Sequence, residues 1–172
     1  MPNLEKLLRW TAALKEKRDK LRRDAERGII APTDFTVIAV NANRLSDFPG
    51  LDDGISGMRF AIEATFPVGP IAIPLTPQGQ QAGDAERTTR YSIQKKNGAE
   101  VPTANFLDEG YANVSALMGS TRRDMLDGKL WMTLVHNPLA TVSLPREILG
   151  ATKEYVADDE GDHYLMRPLH EG

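Results

Sequence analysis

The sequence predicts an α+β domain: one long N-terminal helix packed on a mixed, largely antiparallel sheet. Three observations carry this. Residues 3–27 hold neither Pro nor Gly and are dominated by Leu, Ala, Lys, Arg and Glu, all strong helix formers. Short β-branched or apolar runs follow at 35–40, 88–94 and 130–135. Between them lie turn signals, of which Asn97-Gly98 is the strongest. At 172 residues and 41% hydrophobic, the chain has the size and apolar content of one domain with its own core. A single domain over 1–172 is expected, with the helix at 3–27 and an α+β body at 35–168.

Taken in order, the helix has Asn3 as its expected N-cap and Gly28 as its expected stop. Leu4, Leu7, Leu8, Thr11, Leu14, Leu21 and Ala25 fall near one stripe at helical spacing, interrupted by Arg18. Phe35 to Val40 is apolar on both faces and reads as a buried central strand. Residues 44–59 are rich in Pro, Gly and Asp and read as loop. Residues 60–66 (FAIEATF) alternate well enough for a strand, and 71–75 (IAIPL) resume extended chain, with Pro74 placing it at an edge. Residues 76–87 read as a polar loop, 88–94 as a strand, and 111–127 suit either a helix face or a short buried strand. Leu130 to Val135, including Trp131, is the expected core strand, and 153–166 a terminal hairpin with an acidic turn.

Composition excludes several kinds of chemistry. With no cysteine there is no disulfide, thiolate metal site or cysteine nucleophile. No run reaches the ~18 apolar residues of a membrane span, and the N-terminus lacks a signal-peptide core, so a cytoplasmic, soluble protein is expected. The net charge is −3, but residues 1–27 hold nine basic and five acidic side chains, which leaves an acidic remainder. Lys15, Lys17, Lys20, Arg22 and Arg23 are therefore the candidates for nucleic-acid contact. The competing reading is a solvated face of mixed-sign pairs, since Glu16 and Lys20, and Asp19 and Arg23, stand four apart.

No phosphate-binding loop, zinc pattern or nucleophile elbow occurs. The acidic run at 158–162 lacks the ligand spacing of a calcium loop and reads as a hairpin turn. His136, His163 and His170 form no metal-ligand spacing, and Ser115 has no neighbouring His or Asp. Asp52, Asp53 and Glu63 are the one carboxylate set placed to hold magnesium against a phosphodiester, although the lysine expected two residues after such a glutamate is absent.

The order of segments is familiar. A helix ALKEKRDKL (13–21), a strand FTVIAVNA (35–42), then AIEATFPVGPIAI (61–73), residues 93–120 and LVHNPLATVSLP (134–145) follow one another. This resembles the C-terminal half of bacterial proteins with a restriction-endonuclease-like fold of the PD-(D/E)XK type. Lys17, Lys20, Asn41, Asn137, Pro138 and Ala140 match that pattern, and Ser143 stands where a proline is expected. The resemblance implies that the metal-binding strands precede the matching helix, where this chain has only Met1 to about Trp10. None of the matching residues is a metal ligand in what the resemblance implies.

The expected function is accordingly non-catalytic: a nuclease-fold remnant or subunit acting as a protein-interaction module, near nucleic acid. Neither metal nor other cofactor is expected. The alternatives are a magnesium-dependent phosphodiesterase using Asp52, Asp53 and Glu63, and a small-ligand binding domain. Because the helix stripe lacks the strands that the resemblance implies, a homodimer or a partner chain is expected to cover Leu4, Leu7, Leu8, Leu14 and Leu21.

Overall fold

The computed structural model describes residues 3–42, 53–123, 130–161 and 164–169, and of residues 121–123, 130 and 131 only the backbone. Helix α1 runs Asn3–Glu26, 24 residues or about 36 Å at 1.5 Å per residue. Its end is set by Gly28 at φ 72, whose N–H bonds the carbonyl of Ala25 while that of Ile29 bonds Asp24. Those two bonds satisfy the last carbonyls of the helix in a Schellman arrangement that only glycine adopts without strain. At the other end Asn3 is the first helical residue, and its side-chain amide reaches the carbonyls of Asp53 and Gly54.

Ten further elements follow among the described residues: strand β1 (Val37–Asn41), the single helical turn α2 (Phe60–Glu63), and strands β2 (Val68–Ala72), β3 (Glu86–Thr89), β4 (Ser92–Gln94), β5 (Glu100–Pro102), β6 (Ala116–Arg123), β7 (Leu130–His136), β8 (Lys153–Asp159) and β9 (Tyr164–Pro168), with two 3-10 turns before β6. The main sheet has the order β1-β6-β7-β8-β9, with parallel pairs β1/β6 and β7/β8 and antiparallel pairs β6/β7 and β8/β9. Two antiparallel ribbons, β2-β3 and β4-β5, stand beside it. The α+β architecture with a mixed sheet is the one expected.

The sheet is covered on both faces. Neighbours along a strand point to opposite sides, so Leu117 and Val135 face one way and Ala116 and Leu134 the other. On the first side Leu7, Trp10 and Leu14 of α1 join Ile38, Phe60, Leu117 and Val135 in the main core. On the second, the segment after β7 crosses back and seats Leu144 against Ala116 and Leu134. The helix lies very close to the sheet at Gly119, where a Cβ would stand 2.3 Å from the Trp10 ring and 2.6 Å from the Val40 carbonyl oxygen.

Several expectations are corrected. Among the described residues strand β1 is at the edge of the sheet, paired only with β6, and Ala39 and Asn41 are exposed. Residues 60–66 are a helical turn and its exit, buried throughout. The stretch 88–94 is two strands broken at Arg90-Tyr91, where the chain leaves β2 as partner and turns to β5. Of segment 111–127, residues 116–123 form a strand, β6, and 124–127 lie outside the described residues. The leucine stripe is consumed within the chain: Leu7 and Leu14 are fully buried, and Leu4, Leu8 and Leu21 pack against the same core. Trp10 is buried and stacks on Phe60 at 6.3 Å. Arg18 does not break the stripe either, since its guanidinium lies over the Tyr111 ring at 4.4 Å. Leu134 takes its expected core place, whereas the side chains of Leu130 and Trp131 lie outside the described residues.

Candidate functional site

Of the three candidate carboxylates, Glu63 is the informative one. Helix α2 holds it at the centre of the molecule with no solvent exposure. The preceding loop folds around its carboxylate. Oε1 accepts from the N–H of Ser56 (2.7 Å) and Met58 (3.3 Å), and Oε2 from the N–H of Ile55 (3.0 Å) and the Arg90 guanidinium (3.1 Å). A carboxylate offers about four lone-pair positions, and four donors fill them. Gly54 closes the cage from above, because a Cβ there would lie 2.4 Å from the Glu63 carboxyl carbon. Neither a metal ion nor a substrate proton has a place to approach.

Asp53 is separate. Half-exposed, it faces Arg59 at 3.7 Å across the neck of the same loop. Asp52 lies outside the described residues. The described members of the candidate set are thus one buried structural carboxylate and one surface ion pair. Among the described residues no group of three or more His, Asp or Glu side chains is placed to hold a metal.

The missing signal for this role was the donor side. Loop 53–59 must bury backbone N–H groups, and each needs an acceptor. Arg90 supplies the opposite charge from the break between β3 and β4. Arg87, three residues earlier, ties the loop to the root of β2 through the carbonyls of Ser56 (2.8 Å) and Gly69 (3.0 Å).

Two more buried polar residues do similar work. Glu154 on β8 accepts from His136 Nε2 at 2.5 Å, and both its oxygens accept from the Glu147 N–H at 3.1 Å. That holds down the crossing segment at Glu147, the one described non-glycine residue with positive φ. Asn137, one of the residues carrying the resemblance, donates to the carbonyls of Tyr111 (2.9 Å) and Val114 (2.8 Å) and accepts from the Leu139 N–H (3.0 Å). It locks the turn before β6 to the exit of β7. Ser115 is structural as well, its hydroxyl bonded to Val142 and Thr36. His163 and His170 lie outside the described residues.

The nucleic-acid candidates Lys15, Lys17, Lys20, Arg22 and Arg23 are all exposed on α1. Acids are interleaved with them: Lys20 pairs with Asp24, and Arg22 lies 4.0 Å from Asp19. Exposed pairs of this kind contribute about 0–1 kcal/mol and mute the local positive field. On the terminal hairpin Arg167 grips Asp158 through two bonds, and this holds the Asp158 carboxyl below its ordinary range.

The least expected surface is the β2-β3 ribbon. Beyond β2 the chain continues to an isolated bridge between Leu75 and Gln81 and turns at Gly79, φ 80. Every residue from Pro70 to Thr89 except Thr76 is exposed, so the ribbon is an arm, anchored to the body at its root through Arg87. Ile71 (58%), Ile73 (52%) and Leu75 (62%) are open to solvent on it. At two-residue spacing they share one side of the ribbon. The sequence carried the signal as IAIPL, which reads as an edge strand but does not reveal that none of the described residues covers it.

Comparison of the chain with protein-family models, with curated proteins and with solved structures gives no match. Among the described residues no helix is long and apolar enough to cross a membrane.

Proposed function

We propose that the chain is a non-catalytic protein-interaction module, a remnant or subunit of the nuclease-like fold its sequence resembles, and that the β2-β3 arm is its contact element. The arm carries this reading. A two-stranded ribbon alone in water is marginally stable, and this one keeps three large aliphatic side chains on its surface. Burying each against a partner is worth up to ~1.5–3 kcal/mol before the cost of association. The filled Glu63 cage supports the non-catalytic half of the reading, because the phosphodiesterase alternative needs that carboxylate free.

A second copy is the first partner to test, since two-fold association is the commonest arrangement of soluble chains. The interface moves from the leucine stripe of α1, which the core uses, to Ile71, Ile73 and Leu75. Sedimentation velocity over a concentration series should show the wild type gaining mass and Ile71→Asp/Ile73→Asp remaining monomeric with an unchanged circular dichroism spectrum. A wild type that stays monomeric removes the homodimer. A photo-crosslinker at position 73 that then captures no protein in cells removes the interaction module altogether. Magnesium-dependent cleavage of plasmid or single-stranded DNA that Glu63→Ala abolishes, in a variant that remains folded, would restore the enzyme reading.

A further inference from the structure

Where the arm joins the body, a cleft of about 390 Å³ opens between the root of β3 and the start of β9. Volumes in this range are typical of small-molecule sites. Its lining has two chemistries. Phe66, Tyr91, Tyr164 and Met166 give it an aromatic and apolar surface, and Arg87 and Asp159 give it charge. Phe66 is buried and fixed from both sides, 6.1 Å from Phe106 edge to face and 6.2 Å from Tyr164. That is a rigid wall with rings already oriented. Tyr91, 65% exposed, stands at the mouth, and none of the described hydrogen bonds uses its hydroxyl.

Arg87 supplies direction. Its bonds to the Ser56 and Gly69 carbonyls orient the planar guanidinium without neutralising it. No acidic side chain among the described residues forms an ion pair with it. An oriented guanidinium with spare N–H donors beside an aromatic wall is a receptor for a carboxylate or similar oxyanion. Asp159 limits the charge. Its Oδ1 is taken by the Gly161 N–H, but its negative charge remains on the lining. One anionic group balances Arg87 against Asp159, whereas a multiply charged phosphate would be repelled.

We propose that this cleft binds a small aromatic monoanion, with the ring against Phe66, Tyr164 and Met166 and the anionic group on Arg87. The site shares Arg87 and the root of β3 with the arm but does not include Ile71, Ile73 or Leu75. The probe pair is N-acetyl-tryptophan, a monoanion, and N-acetyl-tryptophanamide, its neutral counterpart with the same ring, titrated into the full chain by calorimetry. One charge-assisted contact makes the acid bind about tenfold more tightly than the amide. Arg87→Gln removes that preference, so that acid and amide bind equally. Tyr91→Ala, which removes no described side-chain hydrogen bond, weakens both probes. Because Arg87 also braces the loop, a salt titration of the wild type provides the same test without a variant: the preference for the acid falls as salt rises, and amide binding does not weaken. The proposal is overturned if neither probe binds at millimolar concentration or if both bind equally. Survival of the preference in Arg87→Gln or at high salt overturns it too, as does Tyr91→Ala leaving both affinities intact.

Discussion

Glu63→Ala is the sharpest test of whether this carboxylate serves structure or chemistry. The substitution removes the acceptor for three backbone N–H groups, of Ile55, Ser56 and Met58, and strands the Arg90 guanidinium that pairs with it. Breaking a buried pair by deleting one partner costs about 3–5 kcal/mol. The unsatisfied amides do not add in full, because loop 53–59 is free to open and hydrate them. A loss of about 4 kcal/mol is therefore expected, from a total of ~5–15 for a domain. With a urea dependence of roughly 2 kcal/mol per molar, the midpoint falls by about 2 M. Trp10 reports the event, because its ring stacks at 6.3 Å on Phe60, the first residue of the helical turn that bears Glu63.

Glu63→Gln sharpens the test. It preserves volume and leaves one acceptor oxygen, but its NH2 must face two N–H donors whichever way the amide is turned. It is expected to lose nearly as much as Glu63→Ala. Unchanged midpoints in both variants would refute the reasoning. The cage would then not be holding the loop, and the carboxylate would be available for the metal chemistry that its sequence setting first invites.

Two further predictions probe the packing around this centre. Gly119→Ala drives a methyl into the Trp10 ring and the Val40 carbonyl, so it should cost at least ~1–3 kcal/mol by overpacking; Trp10→Phe in the same chain should recover part of that loss, and strict additivity of the two in denaturation would show that the helix does not press there. Burial pushes the Tyr111 phenol above its ordinary 10.0, with the Arg18 charge opposing the shift and Asp108 and Asp19 adding to it. The folded state thus holds this proton more firmly than the unfolded chain, so the associated stability is complete below pH 10 and is lost as pH rises through the folded value. Tyr111→Phe should flatten the alkaline limb of a stability-against-pH curve, and parallel limbs would contradict this.

The sequence was most legible where local chemistry and tertiary demand agree. Helix α1 has propensity, an apolar stripe and a glycine stop all pointing to the same element, and the structure ends it at Glu26 with Gly28 in the left-handed region. The Asn97-Gly98 turn joins β4 to β5 for the same reason, with Gly98 at φ 80. Strand β1 was misplaced because an apolar run reports burial of the two faces of a sheet and is silent on neighbours in its plane. Residues 60–66 were misread because burial on every side leaves no period of either kind, and four residues are too few to separate a turn of helix from a strand. The carboxylates were legible as acids but not as acceptors. Their donors are backbone groups of loops, which carry no residue type to read.

This last point bears on function. Three polar side chains at the centre of the molecule each fasten an irregular segment to the framework: Glu63 the loop 53–59, Glu154 the crossing segment at Glu147, and Asn137 the turn at 111–114. In each case the side chain bonds main-chain groups that would otherwise be buried without partners, a deficit of about 1–3 kcal/mol apiece, and Glu63 and Glu154 also hold the Arg90 and His136 side chains. Altering a residue used in this way changes stability before it changes binding. Function in this chain therefore has to be sought where the structure leaves capacity unspent. Two such places stand side by side: the aliphatic row of the arm, which none of the described residues covers, and the cleft at its root, where an oriented guanidinium forms no ion pair among the described residues. Variants at Ile73 and Tyr91 should accordingly be silent in denaturation and visible in binding, the reverse of Glu63.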